Sequence, residues 1–176
     1  GGGQRGVGAS GLGVKLSFVE LDENGGVAAE RGYDMPGCVS PPHDFLATRD
    51  YYVVLEHRFS MDLPKALLGL AGPAQAIDPV DAPARVHLVP RPDGRRAGEE
   101  PVVAELPGPC LLIHLSHAFD DDRRGGGVVF YGTGWGRDFV DRSRGRAMFG
   151  GLDGIAPDFT TFPLSSYWRG GVGPRG

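Results

Sequence analysis

The sequence has few cysteines, no excess of basic residues and no long hydrophobic run, and each shortage excludes a class of protein. Its two cysteines, Cys38 and Cys110, lie too far apart for a CxxC metal or redox motif and are too few for a disulfide scaffold. The 18 basic side chains are outnumbered by 22 acidic ones, so the net charge of −4 provides no basic field for nucleic acid. The sequence contains no run of 18 apolar residues, so it predicts no membrane-spanning helix. We therefore expect reduced cysteines that serve in packing and no nucleic-acid partner.

Glycine and proline, by contrast, are abundant, with 30 Gly and 15 Pro among 176 residues. This content reaches the range in which low-complexity disorder occurs. Hydrophobic residues still make up 40% of the chain, which favours a folded core. The length fits one domain. We therefore expect one turn-rich folded region over residues 14–169, with a flexible Gly-rich end at 1–13 and a flexible tail at 170–176.

Short apolar runs separated by Gly, Pro and Asp favour an all-β fold. The clearest case is segment 14–21 (VKLSFVEL), which is followed by the turn sequence DENG and predicts a hairpin. Further β-branched or aromatic runs predict strands at 51–56 (YYVVLE), 85–89 (RVHLV), 111–115 (LLIHL) and 128–131 (VVFY). The charged segments 92–101 and 120–127 predict solvent loops.

Segment 61–72 (MDLPKALLGLAG) differs from the rest because its leucines fit one face of a short helix entered through Pro64. A packed loop is the alternative. We expect its apolar side chains to pack in the core, and a docking surface for a membrane is the second interpretation.

Two glycine-rich motifs and one acidic run were tested for a binding function. Residues 6–11 (GVGASG) match GxGxxG, but no predicted strand precedes them and no helix follows, so we interpret the match as chance. Residues 132–136 (GTGWG) predict a turn after a strand. Residues 120–122 (DDD) lack the additional spaced oxygen ligands of a cation site and predict a solvated turn.

The five histidines carry the remaining site chemistry, because neutral imidazole is a common metal ligand. His43 lies in a loop stiffened by two prolines, and His114 lies in an apolar strand where a buried ring needs a hydrogen bond or a metal. A satisfied core or loop histidine is the alternative for both. His57 and His87 are interpreted as structural or exposed. His117 follows His114 by three residues, and this odd spacing predicts that it points to the opposite face of a regular strand.

Around His43 and His114 the sequence resembles the carotenoid cleavage oxygenases, the non-haem iron enzymes that split conjugated double bonds. Residues 43–54 (HDFLATRDYYVV) are similar to the family signature HDFxxTxxYxV, and residues 113–120 (IHLSHAFD) to its FHxxNAyE segment. Further similar segments follow in family order at 17–25 (SFVELDENG), 34–37 (DMPG), 85–91 (RVHLVPR) and 162–169 (FPLSSYWR). The resemblance covers residues 14–169.

This resemblance implies an all-β chain that is part of a seven-bladed β-propeller with short helical insertions. It also implies iron(II), Fe(2+), held on the propeller axis by four histidines from different blades. By motif, His43 and His114 correspond to the second and third of these metal ligands. The other two have no counterpart, so the chain resembles a middle portion of the family. His117 stands where the family usually has Asn, and Ile113 where Phe is usual.

The implied function is a dioxygenase that cleaves a conjugated double bond to two carbonyl products. Its partners would be dioxygen and a lipophilic carotenoid, apocarotenoid or stilbene-like substrate. A non-catalytic propeller binding module and an inactive truncated fragment are the alternatives, and histidines in the two unmatched ligand segments would distinguish the enzyme from both. A soluble protein or a peripheral membrane contact, in plastid or cytoplasm, is compatible with the sequence.

Overall fold

The all-β expectation is confirmed over the residues that the structure, a computed structural model, describes: 13–70, 77–122, 127–137 and 166–172. Strands in these ranges pair antiparallel, and one short helix interrupts them. The elements are β1 (Gly13–Leu21), β2 (Val27–Pro36), β3 (Phe45–Ala47), β4 (Tyr51–Glu56), β5 (Phe59–Met61), α1 (Leu63–Leu67), β6 (Ile77–Pro79), β7 (Arg85–Pro90), β8 (Val102–Glu105), β9 (Leu111–Asp120), β10 (Val128–Trp135) and β11 (Ser166–Val172).

The predicted hairpin is confirmed as β1 and β2. One side chain builds its turn: the Asp22 carboxylate accepts the N–H groups of Asn24 and Gly26, each at 2.8 Å. Gly25 has a φ of 81°, in the left-handed region that glycine enters without a steric penalty. Side chain and glycine together therefore fix the turn that the sequence predicts.

Strand β4 is the centre of the fold, because all six of its residues are buried. It lies inside the sheet β3-β4-β7-β8. Tyr51, Val53 and Leu55 face a cluster that includes Phe130 of β10, whereas Tyr52 and Val54 face a second cluster that includes the β1–β2 hairpin. Because successive residues of a strand point to opposite faces, a continuous apolar run suits a strand covered on both sides. The β4 strand therefore joins the hairpin to the sheet β11-β10-β9.

The turn predicted at residues 132–136 is wrong, because β10 continues through them to Trp135. The glycines serve close backbone approach instead. A Cβ on Gly134 would overlap the Leu111 carbonyl oxygen and lie 2.6 Å from the Leu112 Cα. The pairing of β9 with β10 also shifts register twice, which leaves Ile113 and Ser116 unpaired in the ladder.

The helix in segment 61–72 is shorter than predicted, and its expected packing in the core is wrong. Helix α1 spans Leu63–Leu67, and the preceding Met61 belongs to β5. Leu67, Leu68 and Leu70 are 71–79% exposed. These leucines therefore form an apolar surface within the described part of the chain.

The chain ends only partly overlap the described residues. Residues 1–12, with the glycine motif at 6–11, and residues 173–176 lie outside them. Strand β11 pairs with β10 as far as Val172, so three residues of the predicted tail belong to a sheet. Cys38 and Cys110 are free thiols, and burial raises the pKa of both. Within the described ranges, no helix has the length and apolar character needed to cross a membrane.

Candidate metal-binding site

The structure brings the two predicted site histidines together, one from a loop and one from a strand. His43 lies in the loop before β3, and His114 lies in β9. Their ring centroids are 5.6 Å apart, with an angle of 46° between the ring planes. Both residues are exposed, so their imidazoles are accessible to an ion. This is the proximity that a shared site requires, and the role of the rings as metal ligands stays a prediction.

Asp44 connects the loop of His43 to the strand of His114. Its Oδ1 accepts the N–H of Phe45 at 2.8 Å, and its Oδ2 accepts the N–H of Leu115 at 2.9 Å. Leu115 directly follows His114, as Asp44 directly follows His43. Sequence reasoning missed this contact, although Asp44 is the second residue of the motif that identified His43.

His57 supplies a second contact to the same strand. Its Nε2 lies 3.0 Å from the backbone N of Leu112 and accepts that N–H. Burial is the main cause that lowers the pKa of His57 to about 4, and the neighbouring His43 acts in the same direction. The ring is therefore neutral at physiological pH and serves as an acceptor. This matches its interpretation as a structural histidine.

The pair of rings has the spacing of two ligands on one ion. A metal–nitrogen bond of about 2.1 Å places each ring centre about 3.2 Å from the metal, so two ligand rings have centres roughly 4.5–6.4 Å apart. The observed 5.6 Å falls within this range. Imidazole suits iron among the borderline metals. In the described residues no group of three or more His, Cys, Asp or Glu side chains is close enough to hold an ion, so this part of the chain offers two donors.

The prediction that His117 points to the face opposite His114 is wrong, because β9 is not a regular strand. His114 pairs with Thr133 and His117 with Tyr131, which stand two residues apart on β10 and share one face. The bulge at Ser116 thus cancels the odd spacing. The His117 ring instead stacks on Tyr131, with centroids 4.5 Å apart. It therefore belongs to a separate aromatic cluster.

A cleft with an aromatic wall opens beside His43. It has a volume of about 400 Å³. The Phe18 and Tyr52 rings on this wall stack with centroids 4.2 Å apart, and Phe45 packs edge-on to Phe18 at 5.6 Å. Phe45 is exposed, whereas Phe18 and Tyr52 are buried, so the Phe45 ring gives the cleft an apolar side next to a candidate ligand.

His87 lies apart from this site in a buried hydrogen-bonded chain. Its Nδ1 is 2.7 Å from the hydroxyl of Tyr33, and its Nε2 is 2.8 Å from the carboxylate of Glu56. Glu56 and His87 are both nearly inaccessible to solvent. The interpretation of His87 as structural agrees with these contacts.

Comparisons with known proteins point to the same family as the two motifs. A family model described as "Retinal pigment epithelial membrane protein" (RPE65) matches residues 6–154. Carotenoid cleavage dioxygenase 7, chloroplastic, from Oryza sativa subsp. japonica is 30% identical over 120 residues, which cover 64% of this chain and 20% of that protein.

Solved structures agree with this match. Cobalt-substituted ACO from Synechocystis aligns with a TM-score of 0.61 and 25% identity, over 71% of this chain and 24% of that chain. An ACO/RPE65 chimera aligns with a TM-score of 0.60 and 26% identity, over 70% of this chain and 24% of that one. The chain thus spans only about a quarter or less of the length of these relatives. Since the family model matches most of its residues, the chain belongs to the RPE65/carotenoid oxygenase family.

Proposed function

We propose that the chain forms part of a non-haem iron(II) dioxygenase that cleaves a conjugated carbon–carbon double bond to two carbonyl products. The observation that carries the proposal is the pair of imidazoles, His43 and His114, 5.6 Å apart in a chain of this family. The names of two relatives, a carotenoid cleavage dioxygenase and an apocarotenoid oxygenase, support a polyene substrate. Carotenoids, apocarotenoids and stilbene-like compounds share the conjugated bond that this reaction requires.

In this proposal His43 and His114 hold the iron through their imidazole nitrogens. When bound, iron(II) supplies the reaction with dioxygen, while the protein binds and orients the substrate. The cobalt in the related Synechocystis structure supports a metal centre in the family. Neutral His57 and the carboxylate of Asp44 hold the strand of His114 in place through its backbone.

The cleft beside His43 is the proposed contact for the polyene. Phe45 presents an exposed ring there, and it packs edge-on against the buried Phe18, whose ring stacks on Tyr52. A conjugated chain gains about 25 cal/mol for each Å² of apolar surface that it buries, and aromatic faces add to this. The position of the polyene in the cleft then determines which of its double bonds lies beside the histidine pair.

We also propose that the sheets β3-β4-β7-β8 and β11-β10-β9 are neighbouring blades of a seven-bladed β-propeller. Both are antiparallel, and one apolar cluster lies between them. His43 lies in the loop that leads into the first sheet, and His114 lies within the second. Both would then face a common axis. The TM-score of 0.61 to Synechocystis ACO supports this architecture.

A peripheral contact with a membrane is part of the proposal. Leu67, Leu68 and Leu70 are exposed at and after α1, and exposed apolar side chains of this kind enter the surface of a lipid layer. Lipid is also the phase that holds a lipophilic polyene. A plastid location is favoured by the rice relative, whose name includes "chloroplastic".

The test is loss of polyene absorbance after iron(II), dioxygen and an apocarotenoid are added. We expect little or no turnover by the 176-residue chain, because two imidazoles leave an ion largely solvated. A hybrid in which this chain replaces the matching quarter of Synechocystis ACO should turn over the apocarotenoid. His43→Ala or His114→Ala in that hybrid should abolish its turnover. His117→Ala should leave it unchanged. Robust turnover by the chain that persists in the double variant would contradict the site. Polyene binding without turnover in the hybrid would favour a binding module.

A further inference from the structure

Two side chains take the place of a neighbouring strand along one edge of β9. On its other edge β9 pairs with β10, with irregularities at Ile113 and Ser116. On the edge towards β3, the N–H of Leu112 donates to His57 Nε2 at 3.0 Å, and the N–H of Leu115 donates to Asp44 Oδ2 at 2.9 Å. These two N–H groups flank His114. The backbone on both sides of this histidine is therefore held by side chains, one from the loop that carries His43 and one from the residues that follow β4.

The carboxylate of Asp44, the residue directly after His43, connects the loop of His43 to the strand of His114. One oxygen accepts the N–H of Phe45 at 2.8 Å and fixes the loop of His43, and the other accepts the N–H of Leu115. Hydrogen bonds from backbone N–H groups to a carboxylate are charge-assisted and stronger than neutral ones. A single group thus fixes the backbone next to His43 relative to the backbone next to His114.

We propose that Asp44 is a positioning residue that holds the imidazoles of His43 and His114 within reach of one metal ion. The step that concerns metal rests on the proposed function, whereas the step that concerns ring proximity does not. Groups that orient metal ligands through hydrogen bonds typically change metal affinity 10–100-fold when they are removed. Asp44 acts here through the N–H groups of Phe45 and Leu115, which are close in sequence to the two ligands, and not through either ring.

Asp120 provides the matched control, because it is a second carboxylate that connects the same parts of the chain. Its Oδ1 accepts the Thr48 hydroxyl at 2.8 Å, so it ties the turn between β3 and β4 to the end of β9. It lies six residues along β9 from His114. Loss of either carboxylate removes a side-chain tie to β9, but only loss of Asp44 removes the tie next to the histidines.

The experiment compares the wild-type chain with Asp44→Ala, Asp44→Asn and Asp120→Ala. Cobalt(II) is the metal probe, and its dissociation constant is followed by the visible absorption of the ion. Without metal, nuclear Overhauser effects between the ring protons of His43 and His114 report ring proximity. We expect Asp44→Ala to weaken cobalt binding 10–100-fold and to lose the ring contact. Asp44→Asn, which keeps one acceptor oxygen, should lie between it and wild type. Asp120→Ala should lower the Tm and change neither readout.

Three outcomes distinguish this proposal from the proposed function. If folded Asp44→Ala keeps the ring contact and binds cobalt within about twofold of wild type, Asp44 is a structural residue only and the proposal is overturned. If Asp44→Ala does not fold, Asp44→Asn decides in the same way. If the wild-type chain binds no more cobalt than the His43→Ala, His114→Ala double variant, the metal site fails, and the ring contact in the Asp44 variants still decides the positioning role.

Discussion

At the scale of single residues, Gly134 decides whether β9 and β10 can pair closely. A side chain there would overlap the Leu111 carbonyl oxygen, which is backbone and cannot move aside alone. We expect Gly134→Ala to lower the free energy of unfolding by about 3 kcal/mol or more, because the strand that carries His114 must shift. Urea denaturation measures this change. Gly136→Ala is the control, since no atom lies within 4 Å of its Cβ position. Equal stability of the two variants would contradict the close approach.

Asp50 gives the stability of the protein a predictable dependence on pH. Its buried carboxylate accepts hydrogen bonds from the side chain and the backbone N–H of Arg95. The Arg95 side chain is the main cause that lowers the pKa of Asp50 to about 2, from an ordinary value of 3.8. The unfolded chain therefore takes up the proton first as the pH falls. The stabilisation is fully present above about pH 4 and is lost as the pH falls towards 2.

The variant Asp50→Asn tests this dependence, because it cannot ionise. We expect it to be less stable than wild type at pH 7 and to approach wild type near pH 2, as measured by thermal unfolding across this range. A constant difference between the two proteins from pH 7 to pH 2 would show that the Asp50 charge does not stabilise the fold.

Single residues also show what the sequence could and could not predict about the site. His43 and His114 were found because each lies in a motif that is readable along the chain. The contact of Asp44 with the N–H of Leu115 joins residues 71 positions apart, and no local pattern encodes it. The face of His117 was predicted wrongly because the bulge at Ser116 depends on the partner strand, which periodicity does not register.

At the scale of elements, a buried hydrogen-bonded chain joins the hairpin to the central sheet. Tyr33 of β2 contacts His87 of β7, which contacts Glu56 of β4. Burial raises the pKa of Tyr33, so its hydroxyl stays protonated at neutral pH. We expect Tyr33→Phe to reduce the free energy of unfolding by about 1 kcal/mol, because the imidazole loses a buried partner.

Chemical denaturation of Tyr33→Phe measures this loss, and Ser17→Ala is its control. Ser17 makes an exposed hydrogen bond to Glu30 within the same hairpin, and its loss should change stability by less than about 0.5 kcal/mol. If both variants matched wild type, the buried chain would not stabilise the docking of the hairpin.

The apolar surface at α1 carries a prediction for membrane binding. We expect the triple variant Leu67→Ser, Leu68→Ser, Leu70→Ser to co-sediment less with uncharged phospholipid vesicles than wild type, because it removes the exposed apolar side chains. The control replaces Leu21 and Val27, which are also exposed but lie at the hairpin end, with Ser. Equal loss of binding in both variants would indicate that the α1 surface has no specific role.

The strands that the sequence predicted well are those with continuous apolar or β-branched residues. Strand β4 has the predicted bounds, and β7 exceeds its prediction by one residue. Strands β3, β5 and β6 have three residues each and β8 has four, too few for periodicity to indicate. Exposed leucines at α1 were predicted to be buried because an apolar stripe alone does not show whether anything covers it.

At the scale of the whole molecule, the candidate site exists because two sheets pack together. The cluster that contains Val53 and Phe130 holds β4 against β10, and this packing brings the loop of His43 to the strand of His114. Composition and strand pattern predicted the all-β class. The pairing of a loop histidine with a strand histidine could be inferred only from the family resemblance, because nothing in their spacing of 71 residues indicates contact.

The most direct test of the shared site is an anaerobic titration of the chain with iron(II), followed by calorimetry. The wild-type chain should bind one equivalent reversibly, and His43→Ala and His114→Ala should each weaken binding at least about tenfold, because each removes one of two imidazole donors. His117 is also exposed and lies on the same strand as His114, so His117→Ala is the control. It should bind iron(II) as wild type does. Unchanged binding in His43→Ala and His114→Ala, or an equal loss in His117→Ala, would contradict a site formed by this pair.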